Sequence, residues 1–334
     1  MLGKWLQEQD DFPKVLFSDE KGAIAGSGIA DKRGDLIFSA QDFFPFARKT
    51  DLWEKFPSSI SFSPKHLCQG ELEKKNHPFS LPERIIHSPA FPKYDRILQK
   101  LLSDGLQKAV FARQTTFTYK ENLDPYLYLN HFAGKGKLFF YQVDPETTFL
   151  GATPESLFQR EGKKITTAAI AGTRPLGKGK ELLQSLKDLS EFGFVQEEIA
   201  QTLSEFCETV EFEKKPGLLQ TPNLEHLYTI FQGRLKTIDD QVLISALHPT
   251  PATCGVPKEK ALRRLYECES FDRGWYAAPI GFSTKKRAHF FVAIRSALIV
   301  RNQLHLFAGS GIVSNSKSND EWNELNNKIK LWTM

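Results

Sequence analysis

Apolar side chains recur along the chain at spacings that separate helices from strands. Ile97, Leu98, Leu101 and Leu102 fall three and four residues apart, which predicts a helix over 94–106. KAVFARQTTFTY, residues 108–119, reads as a strand, and runs over 137–143, 147–151, 156–160 and 163–170 read as four more, parted by turn residues. Leu182, Leu186, Leu189, Ile199, Leu203 and Phe206 lie near one stripe, so residues 180–209 predict a single long amphipathic helix. A strand is expected over 226–236, and a helix over 257–268 opened by Pro257 in its first turn. HFFVAIRSALIV and LHLFAGSGIV, parted by RNQ, predict a hairpin. A last helix from about Asp320 places Trp322, Leu325, Ile329 and Trp332 on its apolar stripe.

Before residue 94 the pattern weakens. VLFSDEKGAIAGSGIA and DLIFSA suggest short strands, and the Pro- and Phe-rich stretch from Phe43 to Pro92 is expected to wrap a core made elsewhere. No Gly/Ser linker follows it, so residues 1–93 are expected to belong with 94–334 in one domain, although length alone suggests about two. Strands cluster, with helices between the runs rather than in strict alternation. That favours an α+β antiparallel architecture over a doubly wound sheet.

Composition narrows the function only by exclusion. The 334 residues carry 44 basic and 40 acidic side chains, a net +4 with no clustered basic face, so neither nucleic acid nor a membrane surface is an expected partner. The most apolar stretch, Phe290 to Val300, is cut by Arg295 and falls far short of the roughly 20 residues of a membrane span. MLGKWLQEQDDF has no apolar signal region, and Cys68, Cys207, Cys254 and Cys268 lack paired spacing, so reduced thiols and a cytoplasmic location are expected.

Two phosphate-loop matches fail on chemistry. Gly172 to Gly179 nearly fits GxxxxGK[ST], but Gly179 stands where a magnesium-binding hydroxyl belongs. Gly26-Ser-Gly28 lacks the third glycine of a dinucleotide fingerprint. The C-terminal helix holds more. Glu321, Glu324 and Lys328 share one face. Read blandly, Ser318 to Glu321 is a capping box and Glu324–Lys328 a surface pair worth under about 0.5 kcal/mol. Read as chemistry, Glu324 and Glu191 of Lys187-Asp188-Leu-Ser-Glu191 are carboxylates on separate helices that could share a magnesium ion. Arg295 interrupts an apolar strand on the face of Phe291, Ala293 and Ala297, and a buried guanidinium must meet an anion, either an internal acid or a ligand carboxylate. Lys108 alternates with Val110 and Ala112 and so can point inward, as can Glu155 at a strand turn; an inward amine and carboxyl are a candidate base and acid.

In order along the chain, KAVFAR, LGATPESLF, TAAIAGTRPLG, KDLSEFGFV, LHPTPATCGVP, RGWYAAPIGF, AIRSA and FAGSGIVSNSKSNDEWNELNNK closely resemble the chorismate-utilising enzymes, and among them the isochorismate synthases. The resemblance runs from about residue 95 to the end. It implies a large antiparallel β-sandwich with helices packed outside. It implies an isomerase that adds water at C2 of chorismate while the 4-hydroxyl leaves. By the same resemblance Lys108 is the general base, Glu155 the general acid, and Glu191 and Glu324 the Mg2+ ligands, with Glu321 beside them. Arg295, Tyr276, Lys328 and the backbone near Gly309 and Gly311 would hold the enolpyruvyl carboxylate. His248, Ala171, Gly172 and Thr173 would line the ring. Lysine at 108 fits water rather than ammonia as nucleophile. Salicylate synthases, which go on to eliminate pyruvate, share both Lys and Glu and remain the alternative, with Thr253-Cys254 beside the ring as the departure that bears on it. A chorismate-binding protein without activity is the reading from another class; retention of the acid–base pair speaks against it. The product would feed menaquinone, the commoner use, or siderophores or salicylate, and the family includes monomers and homodimers.

Overall fold

The computed structural model describes residues 2–19, 21–32, 34–44, 52, 59–73, 80–220 and 224–332. The chain opens with helix α1 (Leu2–Gln7) and strands β1 (Lys14–Asp19), β2 (Gly22–Ile29), β3 (Ile37–Gln41), β4 (Ser59–Phe62), β5 (Pro64–Gly70) and β6 (Arg84–Ser88). It continues through α2 (Phe91–Ser103), β7 (Lys108–Thr118), α3 (Pro125–Phe132), β8 (Lys137–Asp144), β9 (Thr147–Thr153), β10 (Ser156–Glu161) and β11 (Lys164–Pro175). Then come α4 (Gly179–Leu182), α5 (Leu186–Phe206), β12 (Cys207–Phe212), β13 (Gly217–Gln220), β14 (Leu224–Leu235), α6 (Asp240–Leu247), β15 (Gly255–Val256) and α7 (Lys258–Cys268). The last part is β16 (Pro279–Ser283), β17 (Arg287–Val292), β18 (Ser296–Val300), β19 (Gln303–Ile312) and α8 (Ser318–Ile329).

The strands form two antiparallel sheets, so the class is α+β as expected. One sheet runs β15-β7-β19-β18-β9-β8-β1-β2-β5, with β6 also on β7; the other runs β12-β14-β11-β10-β17-β16-β3-β4, with β13 also on β14. They pack face to face through aromatic rings. Phe17 of β1 lies 5.3, 6.0 and 5.8 Å, centroid to centroid, from Phe38, Phe282 and Phe291 of the other sheet. One polar bridge crosses the same gap: Asp19 bonds His289 Nδ1 at 2.8 Å, and Nε2 meets Ser156 Oγ at 2.9 Å. Among the described residues no helix is long and apolar enough to cross a membrane.

Several elements depart from the pattern-based reading. HFFVAIRSALIV is not one arm of a hairpin. It is β17 in one sheet and β18 in the other, and Ala293 to Arg295 make the crossing, with Arg295 at φ 52°. Both halves are buried on both faces, so periodicity alone does not reveal the break. The hairpin itself is β18–β19, turning between Val300 and Gln303. The long helix divides at Leu183–Ser185, where Ser185 Oγ caps α5 by accepting from the Asp188 amide, and it ends at Phe206 because Cys207 pairs with Leu235 in the sheet. Pro257 is the N-cap of α7 rather than part of its first turn. Helix α1, which buries Leu2 and Leu6, has no counterpart in the sequence reading. Between Phe43 and Pro92, residues 45–51, 53–58 and 74–79 lie outside the described residues, while Phe43 and Phe44 are buried as a wrapping segment requires.

Candidate active site

A cavity of about 200 Å³ opens where β7, β11, β19, α5 and α8 converge. Strand alternation sets its floor. Lys108 and Val110 of β7 point into it, and so would the side chains of Gly309 and Gly311 on the paired strand β19. Those two positions are empty for a reason. A Cβ on Gly311 would lie 3.0 Å from Glu191 Oε1 and 3.2 Å from Lys108 Cε; one on Gly309 would lie 3.1 Å from the Tyr276 hydroxyl and from Val110 Cγ1. The glycines give up side-chain packing to let charged groups close over the strand.

Lys108 is 1% exposed, and its Nζ meets Glu191 Oε1 of α5 at 2.7 Å. Across the same cavity Glu155 sits in the turn between β9 and β10, 9% exposed, with its amide bonded to Thr153 Oγ1 at 3.1 Å. Burial pushes the Glu155 carboxyl up to about 7, against the opposing pull of the Lys108 and Lys137 ammonium groups. A carboxyl at that value can both hold and release a proton near neutral pH.

Arg295 reaches the cavity from the crossing between sheets. Its Nη1 donates to the Lys328 carbonyl at 3.2 Å. Among the described residues no carboxylate lies within ion-pair distance of it, so of the two anions considered the internal acid is not there. Burial lowers its pKa from the ordinary arginine value. Tyr276 lies alongside, stacked on Phe307 at 5.3 Å and pushed up to about 12 by burial. The pairing of β18 stops at Leu306, which leaves the edge of β19 beyond it to α8. There Lys328 Nζ donates to the Gly309 carbonyl at 2.6 Å and meets Glu324 Oε1 at 2.6 Å.

Helix α8 brings Glu321, Glu324 and Lys328 to the cavity wall. Its N-cap is Lys317, not Ser318, and the capping box does not form: the Ser318 hydroxyl turns to Asp95, and Glu321 accepts from Ser316 Oγ at 2.6 Å. On the opposite wall Ala171, Gly172 and Thr173 sit at a bulge in β11, where the register against β14 shifts. Gly172 has φ 66°, and a Cβ there would lie 3.2 Å from Leu182 and 3.4 Å from Asp188, so the bulge needs glycine.

One expected residue is elsewhere. His248 does not line the cavity; its ring packs edge to face on Phe43 at 5.3 Å and Nε2 donates to the Phe43 carbonyl at 3.3 Å. Burial drives it down to about 3, which keeps it neutral. From the HPTPA segment and the residue after it, Ala252 and Thr253 reach the cavity. Three charged or ionisable wall residues, Arg174, Asp188 and His226, have no role in the sequence reading of the site. Arg174 Nη2 bonds Asp188 at 2.6 Å, and His226, kept neutral by burial, meets Thr173 Oγ1 at 3.0 Å. Nothing in the local pattern marks Arg174 or His226, which alternate along ordinary strands; Asp188 carried a signal in its spacing of three from Glu191.

The donor set suits a hard cation. Glu191 and Glu324 offer oxygen ligands from two helices, with Glu321 and Asp188 on the same walls, and magnesium is commonly held by one or two carboxylates plus water and a substrate oxyanion. Among the described residues no three His, Cys, Asp or Glu side chains gather into a ready-made metal site, and Glu191 and Glu324 are each engaged by a lysine.

Comparisons with known proteins bear on the family. Isochorismate synthase 2 of Arabidopsis thaliana, a chloroplastic protein, is 38% identical over 272 residues, 78% of this chain and 48% of its own length. The chain thus spans about half the length of the plant relatives it matches. The vibriobactin-specific isochorismate synthase of Vibrio cholerae is 30% identical over 309 residues, 86% of this chain and 76% of the relative. In fold, the structure of MenF, the menaquinone-specific isochorismate synthase of Escherichia coli, matches with a TM-score of 0.86 at 21% identity, over 100% of this chain and 91% of that one. That likeness reaches through the N-terminal third, where the sequence resemblance is loose. The sequence model of the chorismate binding enzymes matches residues 91–334, and on that match and the Vibrio cholerae relative the chain belongs to the chorismate-binding enzyme family.

Proposed function

We propose that the protein is an isochorismate synthase, converting chorismate to isochorismate, and that it supplies menaquinone synthesis. The observation that carries the reading is the pairing of Lys108 with Glu155 across one cavity, an amine opposite a carboxyl raised to about 7. A binder of chorismate needs neither group; an isomerase that moves a hydroxyl needs both.

Lys108 takes a proton from water as its oxygen attacks C2. The ring double bonds shift, the C4–O bond breaks, and Glu155 protonates the departing hydroxyl. Water enters and water leaves, so the reaction is an isomerisation. Each transfer is worth about 10²–10⁴ in rate. The Arg295 guanidinium, without a carboxylate partner among the described residues, would take the enolpyruvyl carboxylate with Tyr276 and Lys328 beside it. Ala171 to Thr173 would border the ring. Glu191 and Glu324 would hold a magnesium ion, with Glu321 adjacent. Bound there, the ion would neutralise the ring carboxylate and take over the charge that now holds Lys108.

The test is to incubate chorismate with the protein and magnesium and identify the product by chromatography. Isochorismate is expected. Salicylate with pyruvate would move the chain to the salicylate synthases, a reading that Thr253 in the cavity wall keeps open. No product would leave a binding protein.

A further inference from the structure

On the far side of the β7–β19 pair from the cavity, Arg113 is an anomaly. It is 0% exposed, and none of its three guanidinium nitrogens has a hydrogen-bond partner among the described residues. The other deeply buried arginines are satisfied: Arg273 bonds Glu269 and the carbonyls of Thr253 and Val110, and Arg160 grips Asp240 with two nitrogens. A buried guanidinium left unpaired opposes folding, so its presence calls for a reason outside stability.

What Arg113 touches is Trp322, with the guanidinium carbon 4.2 Å from the ring centroid. Trp322 belongs to α8, between Glu321 and Glu324, and Tyr94, His87 and Phe91 meet its ring at 5.3 Å each. Tyr94 in turn bonds Ser310 Oγ at 3.0 Å, the residue between the two cavity glycines. One strand therefore presents Lys108 to the cavity from one face and draws the carboxylate-bearing helix down with the other.

We propose that Arg113 is a positioning residue: its unpaired guanidinium, laid on the Trp322 ring, holds α8 so that Glu324 and Lys328 sit at the cavity edge. The inference deepens the function proposed above and rests on it. Attraction between a cation and a ring face is strong where water is excluded and tolerates sliding, whereas a hydrogen bond would fix one geometry. The helix can then settle onto substrate and cation without losing its hold.

The proposal separates activity from stability, which a purely structural role would not. Arg113→Met keeps the length and apolar stem and removes the charge. Its thermal midpoint should stay equal to wild type or rise by about 2 °C, while kcat falls about tenfold and the calorimetric magnesium affinity weakens by a similar factor. Arg113→Lys, which restores a cation, should recover most of both losses. A midpoint lower by several degrees with kcat per folded molecule intact would overturn the proposal, and so would unchanged kcat and magnesium affinity in Arg113→Met. If that variant fails to fold, its claim on stability is lost, and Trp322→Phe decides the rest: a loss of about threefold in kcat at an unchanged midpoint supports the sliding contact, no loss refutes it. Absence of turnover in the wild type would defeat the reaction proposed above and not this inference, which the midpoint and the magnesium affinity of Arg113→Met would then judge.

Discussion

Where Phe17 meets Phe38, Phe282 and Phe291, the gap between the sheets is filled ring against ring, and a polar bridge beside them is paired end to end through Asp19, His289 and Ser156. At the other end, where β7, β19, α5 and α8 meet, glycines open the floor, and carboxylates, ammonium groups and a guanidinium line the wall beside the stacked Tyr276 and Phe307. The first region is closed by packing. The second is held open by charges that pair only provisionally, Lys108 with Glu191 and Lys328 with Glu324. The contrast separates two uses of burial in one fold: apolar burial that stabilises, and polar burial that tunes a carboxyl and keeps a guanidinium without an acid.

That contrast can be broken from either end. The largest effect should come from Lys108→Ala, with turnover lower by at least about 10²-fold in a steady-state assay and chorismate affinity within a few-fold by calorimetry. Phe17→Ala should do the reverse: about 3–5 kcal/mol of stability lost in denaturant titration, with kcat per folded molecule unchanged. Glu324→Gln should raise the magnesium concentration needed for half-maximal rate about tenfold; an unmoved requirement would place the ligand elsewhere.

Acidity sharpens the comparison further. The proposed reaction needs Glu155 protonated as its general acid, so turnover should fall as pH rises through about 7. Its raised value also favours the fold while it is protonated, a contribution complete below the ordinary glutamate range and lost as pH rises through about 7. Asp19 runs the other way. Burial pushes its carboxyl up, but bonds from His289 and the Lys21 amide outweigh that and hold it below its ordinary value. Its contribution is present above the ordinary aspartate range and disappears as pH falls through the depressed one, a small effect to be read from midpoints of wild type and Asp19→Asn in acid.

Much of this site could be read in the chain itself, since its residues sit in compact blocks where an out-of-pattern side chain shows. Lys108 heads an apolar strand, Arg295 interrupts another, and Glu324 and Lys328 repeat at helical spacing; all of them reach one cavity. The misreadings share a cause, which is that partners distant in sequence decided the outcome. HFFVAIRSALIV splits because its halves pair with β10 and β9, in different sheets. The capping box fails because Ser318 bonds Asp95, more than two hundred residues earlier. His248 leaves the ring because Phe43, two hundred residues earlier, covers it. Propensity cannot register such contacts.

The crossing at Ala293–Arg295 also bears on how the molecule comes into being. Strand β7 waits for β19, β9 for β18, and β10 for β17, so both sheets keep unpaired edges until residues 287–312 have left the ribosome. The candidate groove therefore cannot form before β19 is made, and a nascent chain stalled before residue 287 would expose strands that nothing yet completes.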